Sequence, residues 1–217
     1  MKDPVGPRAG AGGGGGGRDA GGGRDRSPVI GVLALQGSFA LHMKAFEGLG
    51  VDARRVRTPA DLDGVSAIVI PGGESTVMSL LARKYGLFEP LRRLAREGLP
   101  MMGTCAGAIL LGRGSGEPPR LEAAPVELVR NAYGTQVDSF TAPLDLDPLA
   151  SAFQGIFIRA PKILPPASGA DVEVLGAHEG DPVMVRAGKI LLTTFHPELT
   201  DDPRVHEYFL ASVVGGQ

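Results

Sequence analysis

The chain has 217 residues, with 22 Lys and Arg against 24 Asp and Glu for a formal net charge of −2, 43% hydrophobic and 21% charged. That length suits one well-packed domain rather than two, and the near-neutral balance gives no electrostatic reason to expect nucleic acid or an anionic membrane as a partner. A single cysteine excludes an internal disulfide and fits a reducing, cytoplasmic compartment.

Residues 1–28 contain no continuous apolar run of the kind a signal peptide or a membrane span requires. The stretch 1–27 is nearly all Gly, Arg, Asp and Ala. Such a composition buries too little apolar surface to offset the entropy of ordering it, so this tail is expected to be disordered and the folded domain to span 28–217. Acidic residues interspersed with Arg8, Arg18, Arg24 and Arg26 argue against an anion-binding arm.

From Pro28 the texture changes. VIGVLAL is a short apolar run rich in β-branched residues, as expected of a strand buried on both faces. After it, Phe39, Met43, Phe46 and Leu49 fall near a helical period that Gly48 and Gly50 bring to an end. Strands are predicted over 53–57 and 65–70, the second ending at Pro71, and helices over 75–82 and 87–97. The run 99–103 passes without a spacer into Thr104, Cys105 and the apolar AILLG, which reads as strand, sharp turn, helix. Further strands are predicted over 171–175, 182–186 and 189–195, the last two joined by a turn at Ala187 and Gly188. Asp202 as N-cap and Pro203 at the first helical position announce a closing helix. Strands alternating with helices at this spacing imply an α/β fold with a mostly parallel sheet, whose ligand site lies at the carboxyl ends of the strands.

A solitary cysteine is most often a small buried hydrophobe, but its setting here points elsewhere. Gly103, Thr104, Cys105, Ala106 and Gly107 have the G-x-nucleophile-x-G form of an elbow. Small flanking residues permit a strained strand-to-helix turn that projects the central side chain. The NH of Ala106, just after the nucleophile, would face an oxyanion formed during attack. In FHPEL, at residues 195–199, Pro197 biases His196 away from the α region. In extended chain the side chains of His196 and Glu198 emerge on one face, which lets the carboxylate orient one ring nitrogen while the other faces a thiol. A His-x-Glu alone is more often an exposed polar pair; beside an elbow it completes a Cys-His-Glu set.

PGGEST, at residues 71–76, ends a strand and opens a helix. It lacks the Gly-Lys-Ser/Thr of a P-loop, so nucleotide binding is not expected. Two glycines there can form a backbone nest, with the NH of Gly73 as a second oxyanion donor and Glu74 and Ser75 near the substrate. A plain helix start with an acidic first turn explains the same residues.

LQG at 35–37, PGGEST, GTCAG at 103–107, RNAYG at 130–134, FIRAP at 157–161 and FHPEL occur in fixed order. Together they resemble the PdxT/SNO family of class I glutamine amidotransferases, the glutaminase subunits of pyridoxal 5'-phosphate synthase. The likeness runs from about residue 29 to 214. It implies a three-layer amidotransferase fold and hydrolysis of L-glutamine to glutamate and ammonia. The ammonia would pass to a ring-forming synthase subunit that assembles pyridoxal phosphate for vitamin B6. No metal or cofactor is implied. By motif, Cys105 is the nucleophile, His196 the general base and later acid, and Glu198 the orienter. Gly73, Glu74, Ser75, Arg130, Ile158 and Arg159 match positions that contact glutamine, and Gln36 matches one beside the site at the synthase interface.

The sequence departs from the family pattern in two places. Thr135 stands where an arginine usually follows RNAYG, which bears on a local ion pair or interface contact, and the stretch 112–129 looks shortened. A surface or structural role for Arg130 and Arg159 stays open at this level. Two other readings are a glutaminase subunit of another amidotransferase, serving histidine or nucleotide biosynthesis, and a noncatalytic regulatory partner that keeps the docking surface. The intact Cys105, His196 and Glu198 argue against the second.

Overall fold

Runs of consecutive apolar residues make strands that have no polar face, and such strands are stable only between two layers. The computed structural model describes residue 1, residues 27–130 and residues 139–215, and its central sheet is built this way. Strands β1 (Val29–Leu33), β2 (Asp52–Val56), β3 (Ala67–Ile70) and β4 (Met101–Thr104) alternate with helices α1 (Phe39–Gly48), α2 (Ser75–Lys84), α3 (Phe88–Arg96) and α4 (Ala106–Leu111). Strands β5 (Leu128–Val129), β6 (Phe140–Leu144), β7 (Phe153–Phe157) and β8 (Lys162–Ile163) follow, then β9 (Glu173–His178), β10 (Asp181–Ala187), β11 (Ile190–Thr193) and α5 (Arg204–Tyr208).

The main sheet has the order β2-β1-β3-β4-β11-β10-β9. Its first five strands are parallel, and β10 and β9 add antiparallel strands at one edge. Successive side chains point to opposite faces. Ile68, Ile70, Met101 and Leu192 join one core with α2, α3 and α4. Ala67, Val69, Met102 and Leu191 join the other, with Phe46 of α1 and Val205 and Phe209 near the carboxyl terminus. The three-layer, mostly parallel arrangement expected from the sequence is therefore present.

The differences are local. The strand predicted over 65–70 begins at Ala67, because Ser66 is used as a link, its NH donating to the Val29 carbonyl and its hydroxyl accepting from the Val29 NH. The apolar period marked on α1 passed over its best-buried polar residue: His42 and Phe46, one turn apart, are the buried pair. The Asp202 carboxylate accepts from the Arg204 NH at 3.1 Å, but the closing helix begins at Arg204 with Pro203 in the N-cap place, one residue later than predicted. Beyond Tyr208 the closing helix widens into a π-helical stretch, Phe209–Val214. Two small antiparallel pairs, β5 with β8 and β6 with β7, were not predicted. FTAPL in β6 carries a proline, which reads as a break and is tolerated only at an edge or bulge. Residues 2–26 of the Gly-rich tail and residues 131–138, with most of RNAYG and Thr135, lie outside the described residues. Among the described residues no helix is long and apolar enough to cross a membrane.

Candidate active site

The carboxyl ends of β1, β3, β4 and β11 converge on one edge of the sheet, and the predicted residues sit in the loops that leave them. At the end of β4, Cys105 adopts φ 48° and ψ −104°, a left-handed conformation that costs a residue with a side chain about 1–3 kcal/mol. The flanking glycines make room for it. A Cβ on Gly107 would lie 1.9 Å from the Ile70 carbonyl oxygen, and one on Gly103 2.7 Å from the Gly107 carbonyl. The elbow read from GTCAG is thus a steric fact of the fold. The Cys105 NH donates to the Thr193 carbonyl at 2.9 Å, which ties the elbow to the strand that leads into His196.

His196 is held from two sides. Its NH donates to the Ile156 carbonyl at 2.9 Å, its ring shares the wall of one cavity with the Cys105 thiol, and Nδ1 lies 2.8 Å from Glu198 Oε1. Residues far apart in the chain therefore meet. The backbone at His196 has φ −107° and ψ 88°, outside the α region as Pro197 requires, but Pro197–Leu199 then closes as a single 3-10 turn rather than extended chain. The turn brings Glu198 under the ring by a different route from the one expected.

Cys105 is 5%, His196 6% and Glu198 5% exposed, so their charges act in a largely water-free setting. Burial, the largest influence on His196, favours the neutral ring. The hydrogen bonds to Cys105 and Glu198 and the attraction of both groups outweigh it and raise the imidazole from 6.5 to about 10. Burial likewise pushes the Glu198 carboxyl up. Opposing it are the proximity of His42, the bond and charge of His196, and a bond from Ser38, which together lower it from 4.5 to about 2. Since burial also lowers His42 below its usual 6.5, His42 acts near pH 7 as an N–H dipole and not as a full charge. The Ser38 hydroxyl donates to the same Oε1 at 2.5 Å.

In front of the thiol lies a cavity of about 380 Å³, within the roughly 300–1,000 Å³ usual for small-molecule sites. Its walls include Gln36, Gly73, Glu74, Ser75, Cys105, Ala106, Arg130, Ile158, Arg159 and His196, with Ile109 and Pro161 besides. Every predicted site residue reaches it except Glu198, which stands behind His196. The Ile158 carbonyl is 3.8 Å from Cys105 Sγ, and Arg159 takes φ 44° to turn the chain at the rim. Arg130 is anchored rather than loose: Nη2 lies 3.3 Å from Glu74 Oε1 and Nη1 donates to the Glu117 carbonyl at 3.1 Å. Glu74 also plays the plain role allowed for it, its carboxylate capping α2 through the NH groups of Thr76 and Val77. Gln36 donates to the Glu74 carbonyl at 2.8 Å and packs on Gly73, where a Cβ would come within 2.6 Å of its amide. Sequence reasoning missed Ser38 and His42, which approach Glu198, and Thr104 and His206, which contact His42.

The residues 32–215 match the SNO glutamine amidotransferase family. The chain belongs to that family. A Thermus thermophilus protein curated as pyridoxal 5'-phosphate synthase subunit PdxT is 52% identical over 187 residues, covering 84% of this chain and 96% of its own. The PdxT subunit of Mycolicibacterium vanbaalenii is 47% identical over 194 residues, covering 86% and 98%. Among solved structures, a glutamine amidotransferase superposes with a TM-score of 0.79 at 46% identity, covering 86% of this chain and 98% of that one. PurLQS from Thermotoga maritima reaches 0.60 at 16% identity, covering 85% and 98%, a likeness of fold alone.

Proposed function

We propose that this chain hydrolyses L-glutamine to L-glutamate and ammonia and delivers the ammonia to the ring-forming subunit of pyridoxal 5'-phosphate synthase. Residues 28–217 form the glutaminase domain, and its place of work is the cytoplasm. Relatives curated as PdxT at about half identity over nearly their whole length support this partner over that of another amidotransferase.

The observation that carries the chemistry is the burial of Cys105 and His196 at one cavity, with Glu198 buried behind the ring and His196 Nδ1 2.8 Å from Glu198 Oε1. The sulfur, having given its proton to His196, attacks the side-chain amide carbon of glutamine, and the carbonyl electrons move onto oxygen. The NH groups of Gly73 and Ala106 receive that oxyanion. As the carbonyl re-forms, the C–N bond breaks and His196 donates its proton to the departing nitrogen, which leaves as ammonia. A water then enters, gives a proton to His196 and attacks the thioester. Collapse releases glutamate and returns the thiol. Glu198 keeps the ring oriented and favours its charged form throughout. Glu74, Ser75, Arg130, Ile158 and Arg159 hold the amino-acid end of the substrate.

The synthase gates the reaction through the peptide between Gly72 and Gly73. The Gly72 carbonyl is now tied to the Ser38 NH at 3.1 Å, and Gln36 covers Gly73. Glycine lowers the cost of reorienting that peptide when the partner docks beside Gln36.

Ammonia release from glutamine, measured with and without the purified synthase subunit, tests both parts. Wild-type chain is expected to accelerate when the synthase is added, and Cys105→Ala to release none while keeping its melting temperature, since alanine meets the same backbone demand at the elbow. Normal turnover by Cys105→Ala would refute the nucleophile, and equal rates with and without synthase would refute the gating.

A further inference from the structure

The mechanism uses one of the chain's four histidines, yet two more lie fully buried directly behind it. His42, on α1, is 0% exposed and His206, on α5, is 1% exposed. His42 Nε2 stands 3.3 Å from Glu198 Oε2 and 3.2 Å from Thr104 Oγ1, while its Nδ1 is 3.0 Å from His206 Nε2. The three groups extend the line of Cys105, His196 and Glu198 across the interior. Two atoms in this cluster lack a complete partner among the described residues: Glu198 Oε2, which His42 approaches without the alignment of a full hydrogen bond, and His206 Nδ1.

Proton positions in this line follow from what each atom can tolerate. Burial keeps both rings neutral, lowering His42 below 6.5 and His206 to about 3, so each carries one N–H. If the proton of His42 were on Nδ1, its bare Nε2 would present a lone pair to the Glu198 carboxylate, and His206 would have to carry its own proton on the partnerless Nδ1. Both are costly in a dry interior. The opposite arrangement satisfies all three groups. His206 donates from Nε2 to His42 Nδ1, His42 directs its Nε2–H at Thr104 and at Glu198 Oε2, and only a bare nitrogen of His206 is left alone.

We propose that His42, locked as the Nε2–H tautomer by His206, is a positioning residue for the glutaminase reaction that holds the second oxygen of Glu198, so that the first stays aimed at His196. This rests on the reading of Glu198 as the orienter of the base. Ser38 and His196 both donate to Oε1, so without His42 the carboxylate has no N–H on its far side and is free to rotate. The titratable groups facing His42 are Glu198, His196 and His206.

Two measurements on the full chain test it. In the complex with the synthase subunit, His42→Leu is expected to lose roughly tenfold in kcat, the low end for a full hydrogen bond to a charged group, since the approach to Oε2 at 3.3 Å is incompletely aligned, with KM for glutamine little changed. Its alkaline limb should move toward neutral pH, because a misaligned Glu198 supports the His196 charge less. His42→Gln, whose amide N–H reaches toward the position of Nε2–H, should recover much of the loss. A His42→Leu protein with wild-type kcat and pH profile would overturn the proposal. Two-bond proton–nitrogen spectra of ¹⁵N-histidine-labelled wild-type chain, assigned with His42→Gln and His206→Gln, should show both rings protonated on Nε2 at pH 7. His42 protonated on Nδ1 would overturn it even if His42→Leu fails to fold. Absence of ammonia release by the wild-type complex is a different outcome: it would sink the glutaminase reading and leave the tautomer result standing.

Discussion

Gly72 lies against the ring of His196: a Cβ built at residue 72 would fall 2.2 Å from Cε1 and 2.7 Å from Nδ1. The first of the two glycines in PGGEST therefore has a steric duty toward the base, distinct from the backbone freedom wanted at the second. Gly72→Ala is expected to displace the ring from Cys105 and Glu198 and to lower synthase-supported ammonia release by about 100-fold, the order of loss for a misplacement of about 1 Å. Steady-state kinetics on a variant that still melts cooperatively would check this.

Opposing charges around His196 make the pH response predictable. Glu198→Gln removes one of the two groups that lift the ring to about 10. The alkaline limb of kcat/KM should then move toward neutral pH by roughly 1–3 pH units, the usual effect of one adjacent opposite charge.

The same residue governs acid stability. Glu198 is lowered from 4.5 to about 2 on folding, so its contribution is complete above pH 4.5 and is lost as the pH falls toward 2. His196, raised to about 10, contributes fully below its unfolded 6.5 and loses that contribution as the pH rises through about 10. Urea midpoints measured from pH 5 down to pH 2 should decline more steeply for wild type than for Glu198→Gln.

Arg130 bridges Glu74 and the Glu117 carbonyl at the mouth of the cavity. Arg130→Ala should raise KM for glutamine roughly tenfold with a smaller effect on kcat, as expected when ground-state and transition-state binding are lost together. Lysine should restore little, because one ammonium cannot reproduce a fork that reaches in two directions. An unchanged KM would return Arg130 to a purely structural role.

What the sequence revealed of the site was what the site keeps within short runs. The elbow and the His-x-Glu pair are each confined to a few consecutive residues, so spacing and residue type alone carried them. Even there, the geometry joining His196 to Glu198 is a 3-10 turn, not the extended chain that periodicity suggested. Ser38, His42 and His206 were invisible for the opposite reason. Ser38 reaches Glu198 across 160 residues and His42 reaches His206 across 164, and on α1 a histidine within an apolar period carries no local mark of burial. The parallel sheet was legible because its inner strands β1, β3, β4 and β11 are buried on both faces. The β6–β7 pair was not, since only one side of each strand is covered.

The order in which the sheet is made along the chain has a consequence for the newborn protein. Strands β1 to β4, with the thiol, are synthesised first, whereas His196 and Glu198 arrive only with β11 and the turn after it. A growing chain that has reached residue 150 holds a cysteine with no base and no orienter beside it. The chain's one thiol thus acquires its reactivity last, when the final parallel strand slides into the gap beside β4.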